Sequence, residues 1–444
     1  MTSRPLLIEN GTLLSTAGKP FVAPRHSVLI EDGVITRVAP HGQFGRFKGQ
    51  RLDASGKIVM PGLINAHTHL YSTFARGLTG LKPARDFAGV LRNLWWRLDR
   101  ALTLEDCYYS ALVALLDSIR HGTTTLIDHH ASPRAVSGSL QAIARAVKET
   151  GVRACLCYEV SDRDGASVAR QGLAENEECI RKCRQDPAAK LSALFGLHAS
   201  FTLSDRTLEQ AAGLAGSLGA GFHIHAAEAE SDQALTRRRS GRRVVERLKQ
   251  FGVLGERSIA AHGVHLSRRE MDLLAETRTA VVHNPQSNLN NAVGIADMSA
   301  LSRRGVLLGL GTDAMTGNML EELRVGLWAQ HLANDSPSAG FRELTGALFE
   351  GNARIAGRCF GLRFGQLEEG AVGDLAIIDY DPPTPLDDAN LFGHIVFGIS
   401  QAAVDTTIVG GRVLMLHRKL TLDLDEVRVT SRARELAKAL WKRI

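Results

Sequence analysis

The sequence predicts an α/β chain: a (β/α)8 barrel accompanied by a small β-sandwich assembled from both chain ends. Three observations predict it. From about residue 58 to about residue 352, short apolar runs alternate with longer segments of helical spacing, the order expected of a parallel sheet. Eight such runs occur there. The strand–turn–strand pattern that opens the chain also returns after residue 360.

The opening segment SVLIEDGVITRVAP places Asp32-Gly33 between two apolar stretches, a two-residue hairpin turn. The eight strand candidates follow: IVMPGLINAH, TTTLIDHH, VRACLCYEV, LSALFGLHA, GAGFHIHAA, SIAAHGV, AVVHN and VLLGLGTD. Eight strand–helix repeats suit a barrel, which takes about 250 residues and more with insertions. An open doubly wound sheet is the alternative, but no G-x-G-x-x-G follows the first strand. The expected division is residues 1–57 and 353–424 for the sandwich and 58–352 for the barrel, with a packing helix over 425–444.

Composition narrows the function. The chain has 444 residues, 44% hydrophobic and 23% charged, which excludes a small binding module and a disordered chain. The 53 basic and 47 acidic residues leave only +6, with both signs spread along the chain, so neither nucleic acid nor a membrane is an expected partner. Glu9 and Asn10 interrupt the N-terminus before a signal-peptide core could form, and a cytoplasmic location is expected. Six cysteines are too sparse for a disulfide framework. Cys155 and Cys157 would share a strand face and Cys179 and Cys183 a helix face, so packing thiols are expected, with a metal cluster as the alternative.

The strongest local pattern is PGLINAHTHLYSTFARG, where His67 and His69 end an apolar strand two residues apart and therefore face the same way. At the C-terminal mouth of a barrel strand, such a pair can hold a divalent cation through neutral imidazole nitrogens. His225 and Glu228 close the fifth candidate strand, His262 the sixth and Asp313 the eighth. Three histidines and a carboxylate form a nitrogen/oxygen set suited to zinc or ferrous iron, leaving Glu228 and His262 as acid/base groups.

Across nearly its whole length the chain resembles the amidohydrolase superfamily, in particular its metal-dependent aminohydrolases. The resemblance rests on PGLINAHTH, GLHASFTLS, His225-x-x-Glu228, AAHGVHLS, VVHNPQSN, LGTDA and LEEGAVGDLAIID. HLYSTFARGL, IDHHASP and SGRRVVERL further resemble the SsnA group of aminohydrolases. The resemblance implies one divalent metal ion, zinc or alternatively ferrous iron, on His67, His69, His225 and Asp313. It implies that the metal lowers the pKa of water, that Asp313 takes the water proton, that His262 orients hydroxide and that Glu228 protonates the ring. No lysine ends the fourth strand, where two-metal relatives carry a bridging one. The implied activity is hydrolytic deamination of a nitrogen heterocycle, purine- or pterin-like, by a homodimer or larger assembly. Hydrolysis of a cyclic amide or carbon–halogen bond, and a non-catalytic metal-binding scaffold, are the rivals.

His198, His130, Asn284 and Asn288 are the candidate substrate contacts. Of His129 and His130, neighbours on one strand, at most one can enter the pocket. His283 and Ser287 accompany the asparagines near the mouth, either touching substrate or bracing the loop, and His265 is expected to pack. Trp95 and Trp96 are read as packing or interface anchors, with a pocket wall as the alternative. The run Arg237–Arg243 reads as a solvated helix face, with an anionic substrate or a second subunit as alternatives. Gly309 and Gly311 are weak evidence for phosphate binding.

Overall fold

The hairpin expected at Asp32-Gly33 forms between β2 and β3 of an N-terminal group comprising β1 (Leu6–Ser15), β2 (Phe21–Glu31), β3 (Val34–Pro40), β4 (Gln50–Asp53) and β5 (Ile58–Pro61). Asp32 and Gly33 have φ of 49° and 83°, the two successive positive values that a tight turn matching strand twist requires. The computed structural model describes residues 4–186 and 190–444.

Nine parallel segments follow in two arcs. The first runs β6 (Leu63–Thr68), β7 (Thr123–Asp128), β8 (Arg153–Leu156) and β9 (Leu191–Ala193). The second runs β10 (Phe195–Ala199), β11 (Phe222–Ala226), β12 (Ile259–His262), β13 (Ala280–His283) and β14 (Leu308–Leu310). Parallel bridges connect the arcs at Val160–Leu197 and at Thr68–Asp313. The run LSALFGLHA therefore serves both arcs, dividing at Leu194.

The chain returns through β15 (Leu375–Asp379), β16 (Ala403–Val409), β17 (Arg412–Leu416) and β18 (Lys419–Leu420). These strands join the N-terminal ones in a nine-stranded sheet, with β15 antiparallel to β5 and β4 paired to β1. The run IVMPGLINAH is thus two strands rather than one, because Ile58–Pro61 belongs to this sheet and Leu63–Thr68 to the first arc. Gly62 sits at the crossing, where an added Cβ would lie 2.3 Å from Thr124. Arg153 ties the two sheets together through a buried two-point pair with Asp374, at 2.7 and 3.2 Å.

Residue alternation decides the packing. Ala66, Ile127, Cys155, Cys157, Ile259, Ala280 and Val282 form one cluster among the parallel strands. Their neighbours Leu126, Ala154, Leu156, Ala260 and Val281 pack in a separate cluster with helical residues such as Leu112, Leu115 and Ile143. Cys155 and Cys157 do share a face, Cys179 Sγ lies 3.9 Å from Cys183 Sγ, and all six thiols are free.

The terminal helix forms over Glu426–Trp441, where Asp425 caps Arg428 N at 3.0 Å. Val429, Ala433, Leu436 and Leu440 give it one buried face, each buried leucine contributing about 1.5–3 kcal/mol. Ala433, Leu436 and Leu440 pack with Tyr71 and Phe74, and Trp441 donates to Phe74 O at 2.7 Å, so this helix braces the segment just beyond His69. Among the described residues, no helix is long and apolar enough to cross a membrane.

Candidate metal centre and active site

His67, His69, His225, His262 and Asp313 converge at the strand ends. Each of the first three imidazoles has its Nδ1 engaged elsewhere: His67 with His223 Nε2 at 2.9 Å, His225 with His198 O at 2.9 Å, and His69 with His129 O. Their Nε2 atoms turn inward. His69 Nε2 lies 3.2 Å from His225 Nε2 and 3.1 Å from Asp313 Oδ1, which is 3.9 Å from His67 Nε2.

Backbone geometry makes this approach possible. Thr312 N and Asp313 N both donate to His67 O at 3.0 Å. Gly311 has to be glycine here, since a Cβ would lie 2.6 Å from His67 O and from Asn284 Oδ1. Gly309 is likewise pressed against Ile355 and Asn352, so both glycines serve close packing. His262 and Asp313 have φ of 76° and 53°, left-handed values that non-glycine residues hold only at a cost.

Donor chemistry fits a divalent cation. His67 Nε2 is buried without a hydrogen-bond partner, and oriented neutral imidazoles with a carboxylate suit such an ion. His67, His69 and Asp313 can hold a metal together, as can His67, His225 and His262. Burial keeps His67 and His225 neutral, well below the ordinary histidine value. Burial also opposes charge on His69, yet the Asp313 hydrogen bond and charge raise it to about 9. That proton marks negative charge which a bound cation can balance instead. None of the candidate ligand groups among the described residues includes a cysteine.

The expected acid/base groups stand beside this cluster. His262 Nε2 is 3.5 Å from Glu228 Oε2 and 3.9 Å from Asp313 Oδ2. Burial brings His262 down to about 4, so the ring is neutral near pH 7. Asn288 Nδ2 donates to His262 Nδ1 at 2.9 Å, which puts the ring proton on Nε2. Burial, with Asp313 and Asp232 nearby, pushes Glu228 well above the usual carboxyl range. Burial works against ionised Asp313, but His69 and the Ser287 hydroxyl hold it near about 2.

The cluster opens into a cavity of about 570 Å³ lined by His198, Trp95, Trp96 and Phe201 among others. His198 is placed as expected, its Nδ1 2.7 Å from Thr202 Oγ1 and its ring centroid 6.5 Å from that of Trp96. Both tryptophans are wall residues. Asn284 and Asn288 face His262 rather than the cavity lining, at 3.4 and 2.9 Å. His130 also stands away from the lining, against Ser132 Oγ at 2.9 Å and the ring of Tyr71. Its neighbour His129 is the one that meets the histidine cluster, 4.6 Å from the His225 ring. His283 is fully buried and His265 bonds Val293 O at 2.6 Å. Arg237, Arg238 and Arg242 face solvent, while Arg243 pairs with Glu270 at 2.6 Å.

Asp99, Glu159 and Arg163 also line the cavity, although no sequence pattern had singled them out. Glu159 Oε2 receives His129 Nδ1 at 3.2 Å. Burial raises a carboxyl, but His198, His129 and Arg163 hold Glu159 below the ordinary range. Burial lifts Asp99 to about 7 against the pull of Arg163. The only hint was position: Glu159 and Arg163 follow the third candidate strand, where a barrel places functional side chains.

With this geometry in place, comparison with known proteins assigns the class. The model of the amidohydrolase family matches residues 58–414, and the chain belongs to that family. It is 33% identical to a 5-methylthioadenosine/S-adenosylhomocysteine deaminase of Desulforamulus reducens, over 98% of this chain and 99% of that one. It is 31% identical to a 5'-deoxyadenosine deaminase of Methanobrevibacter smithii, over 99% of each. Among solved structures, a zinc-bound adenosine deaminase from Xanthomonas campestris superposes with a TM-score of 0.87 at 27% identity, covering 98% of both chains.

Proposed function

We propose that this chain is a hydrolase of carbon–nitrogen bonds that deaminates the adenine ring of a nucleoside, releasing ammonia and leaving a carbonyl. The observation that carries this reading is the convergence of three imidazole Nε2 atoms on Asp313 beside Glu228 and His262. The activities named for the relatives support a purine nucleoside over a pterin. In this reading the two parallel arcs close as one (β/α)8 barrel over residues 58–352, and the sheet from residues 1–57 and 353–424 is the sandwich domain.

His67, His69, His225 and Asp313 would hold one divalent ion, zinc in our reading, as in the adenosine deaminase that superposes on this chain. When bound, such an ion supplies Lewis acidity that makes hydroxide available near neutral pH. The protein's own groups do the rest. Asp313, ionised, accepts the proton released by water. His262 presents its Nε2 proton to the oxygen that adds to the amine-bearing carbon. Glu228, which burial keeps protonated, gives its proton to the adjacent ring nitrogen and then relays a proton to the departing amine. His198, Trp96 and Phe201 form a wall for the ring. Trp328 and Leu332, exposed on one helix, support the homo-oligomer implied by the family resemblance.

Ammonia release tests this, with adenosine, 5'-deoxyadenosine and 5'-methylthioadenosine beside aminopterins, aminopyrimidines and triazines, on enzyme reconstituted with zinc or ferrous iron. Release from the adenine nucleosides is expected. Turnover confined to cyclic amides or halogenated rings would replace this reading by the corresponding hydrolase, and silence across all classes would favour a scaffold.

A further inference from the structure

The cavity wall carries one guanidinium, and acids surround it. Arg163 Nη2 donates to Asp99 Oδ2, its Nε donates to Asp164 Oδ2 at 3.1 Å, and its Nη1 lies 3.6 Å from Glu159 Oε1. The side chains of Arg163, Asp99 and Glu159 are 8%, 1% and 3% exposed. Trp96 covers the group, its ring centroid 5.5 Å from the guanidinium carbon. Arg100 takes the other oxygen of Asp164 at 2.6 Å.

Charge can be summed from these contacts. Glu159, ionised between His129 and Arg163, balances the guanidinium one for one. Whatever charge Asp99 and Asp232 carry then makes the wall negative. Among the described lining residues there is no lysine and no second arginine. An anion entering this enclosure must leave water and meet a cation already committed to three carboxylates, so its lost hydration is not replaced.

The geometry points to an anion-excluding specificity device: Asp99 and Glu159 hold Arg163 in an internal cluster, and the cavity takes nucleosides with an uncharged 5' substituent while rejecting those with a 5'-phosphate or 5'-carboxylate. This rests on the purine-nucleoside reading above and narrows it. Asp99 is the specificity-determining residue, because it occupies Nη2 while contributing charge of the excluded sign.

Purine riboside and its 5'-phosphate lack the reacting amine, so calorimetry on the zinc-reconstituted enzyme reads their binding without turnover. The neutral riboside is expected to bind at least about 100-fold more tightly. In Asp99→Asn, which removes one negative charge beside Arg163, that gap should narrow at least about 10-fold through tighter binding of the phosphate. A merely structural role would weaken both ligands together. Should Asp99→Asn fail to fold, Asp164→Asn at the outer edge of the cluster should narrow the gap in the same direction by a smaller factor. Equal affinities in the wild type, or a gap unchanged in a folded variant, overturns the charge device while ammonia release from adenosine leaves the deaminase reading standing. If neither ligand binds and no purine is deaminated, the deaminase reading falls and this inference falls with it.

Discussion

Thr68 and Asp313, 245 positions apart, pair in a parallel bridge, and Thr68 Oγ1 donates to Asp313 O at 3.0 Å. This contact lies between His67 and His69, so the bridge that connects the two arcs also delivers the carboxylate to both imidazoles. Stability and chemistry share one piece of backbone here.

Asp313→Asn should lower ammonia release at least about 1000-fold while the melting temperature stays within a few degrees, because a carboxamide cannot accept the water proton. His67→Ala should lose bound metal by elemental analysis. Chelation of the wild type should abolish activity, and added zinc or ferrous iron should restore it. Asp313→Asn turnover within a few-fold of wild type would falsify the proposed mechanism.

Asn288→Ala should reduce kcat about 10–100-fold with little change in KM. Asn288 touches His262 Nδ1 rather than the cavity, so its loss frees the ring to tautomerise or turn without removing a substrate contact. A rise in KM alone would instead make it a substrate ligand.

Glu322 supplies a pH test. It is fully buried, accepts from Gln286 N at 2.9 Å, and burial raises it to about 8. The folded state therefore keeps a proton that the unfolded state releases above the ordinary carboxyl value. This term favours folding at low pH and weakens by about 1.4 kcal/mol per pH unit until the folded group itself ionises near 8. Glu322→Gln should accordingly gain melting temperature relative to wild type between pH 5 and pH 8. A difference constant across that window would show that Glu322 is ionised in the folded protein.

Asp374→Ala should cost about 3–5 kcal/mol of stability in chemical denaturation. It strips the bidentate carboxylate from buried Arg153 and also removes the acceptor of Gly410 N at 2.7 Å. A loss below about 1 kcal/mol would mean that the two sheets are held together by apolar contacts alone.

The site was legible wherever chemistry and spacing coincided. His67-x-His69 could be read because a strand alternates its faces, and His225, Glu228, His262 and Asp313 because each closes an apolar run. Asn284 and Asn288 read as mouth residues but turned onto His262, since a helix over Pro285–Asn290 begins there and redirects them. Asp99 and Arg163 lie 64 positions apart on segments without a marked pattern, and only packing shows that they form a pair.

Residue order alone determined the strand–helix alternation, the hairpin at Asp32-Gly33, the terminal helix and the histidine–carboxylate set, because backbone periodicity and ligand chemistry are local properties. Tertiary structure decided that the run around Gly62 divides between two sheets, that His129 rather than His130 meets the cluster, and that Arg163 is surrounded by acids. Those outcomes depend on which side chains from distant segments share the same few ångströms, and steric exclusion and charge balance act only once the chain has brought them together.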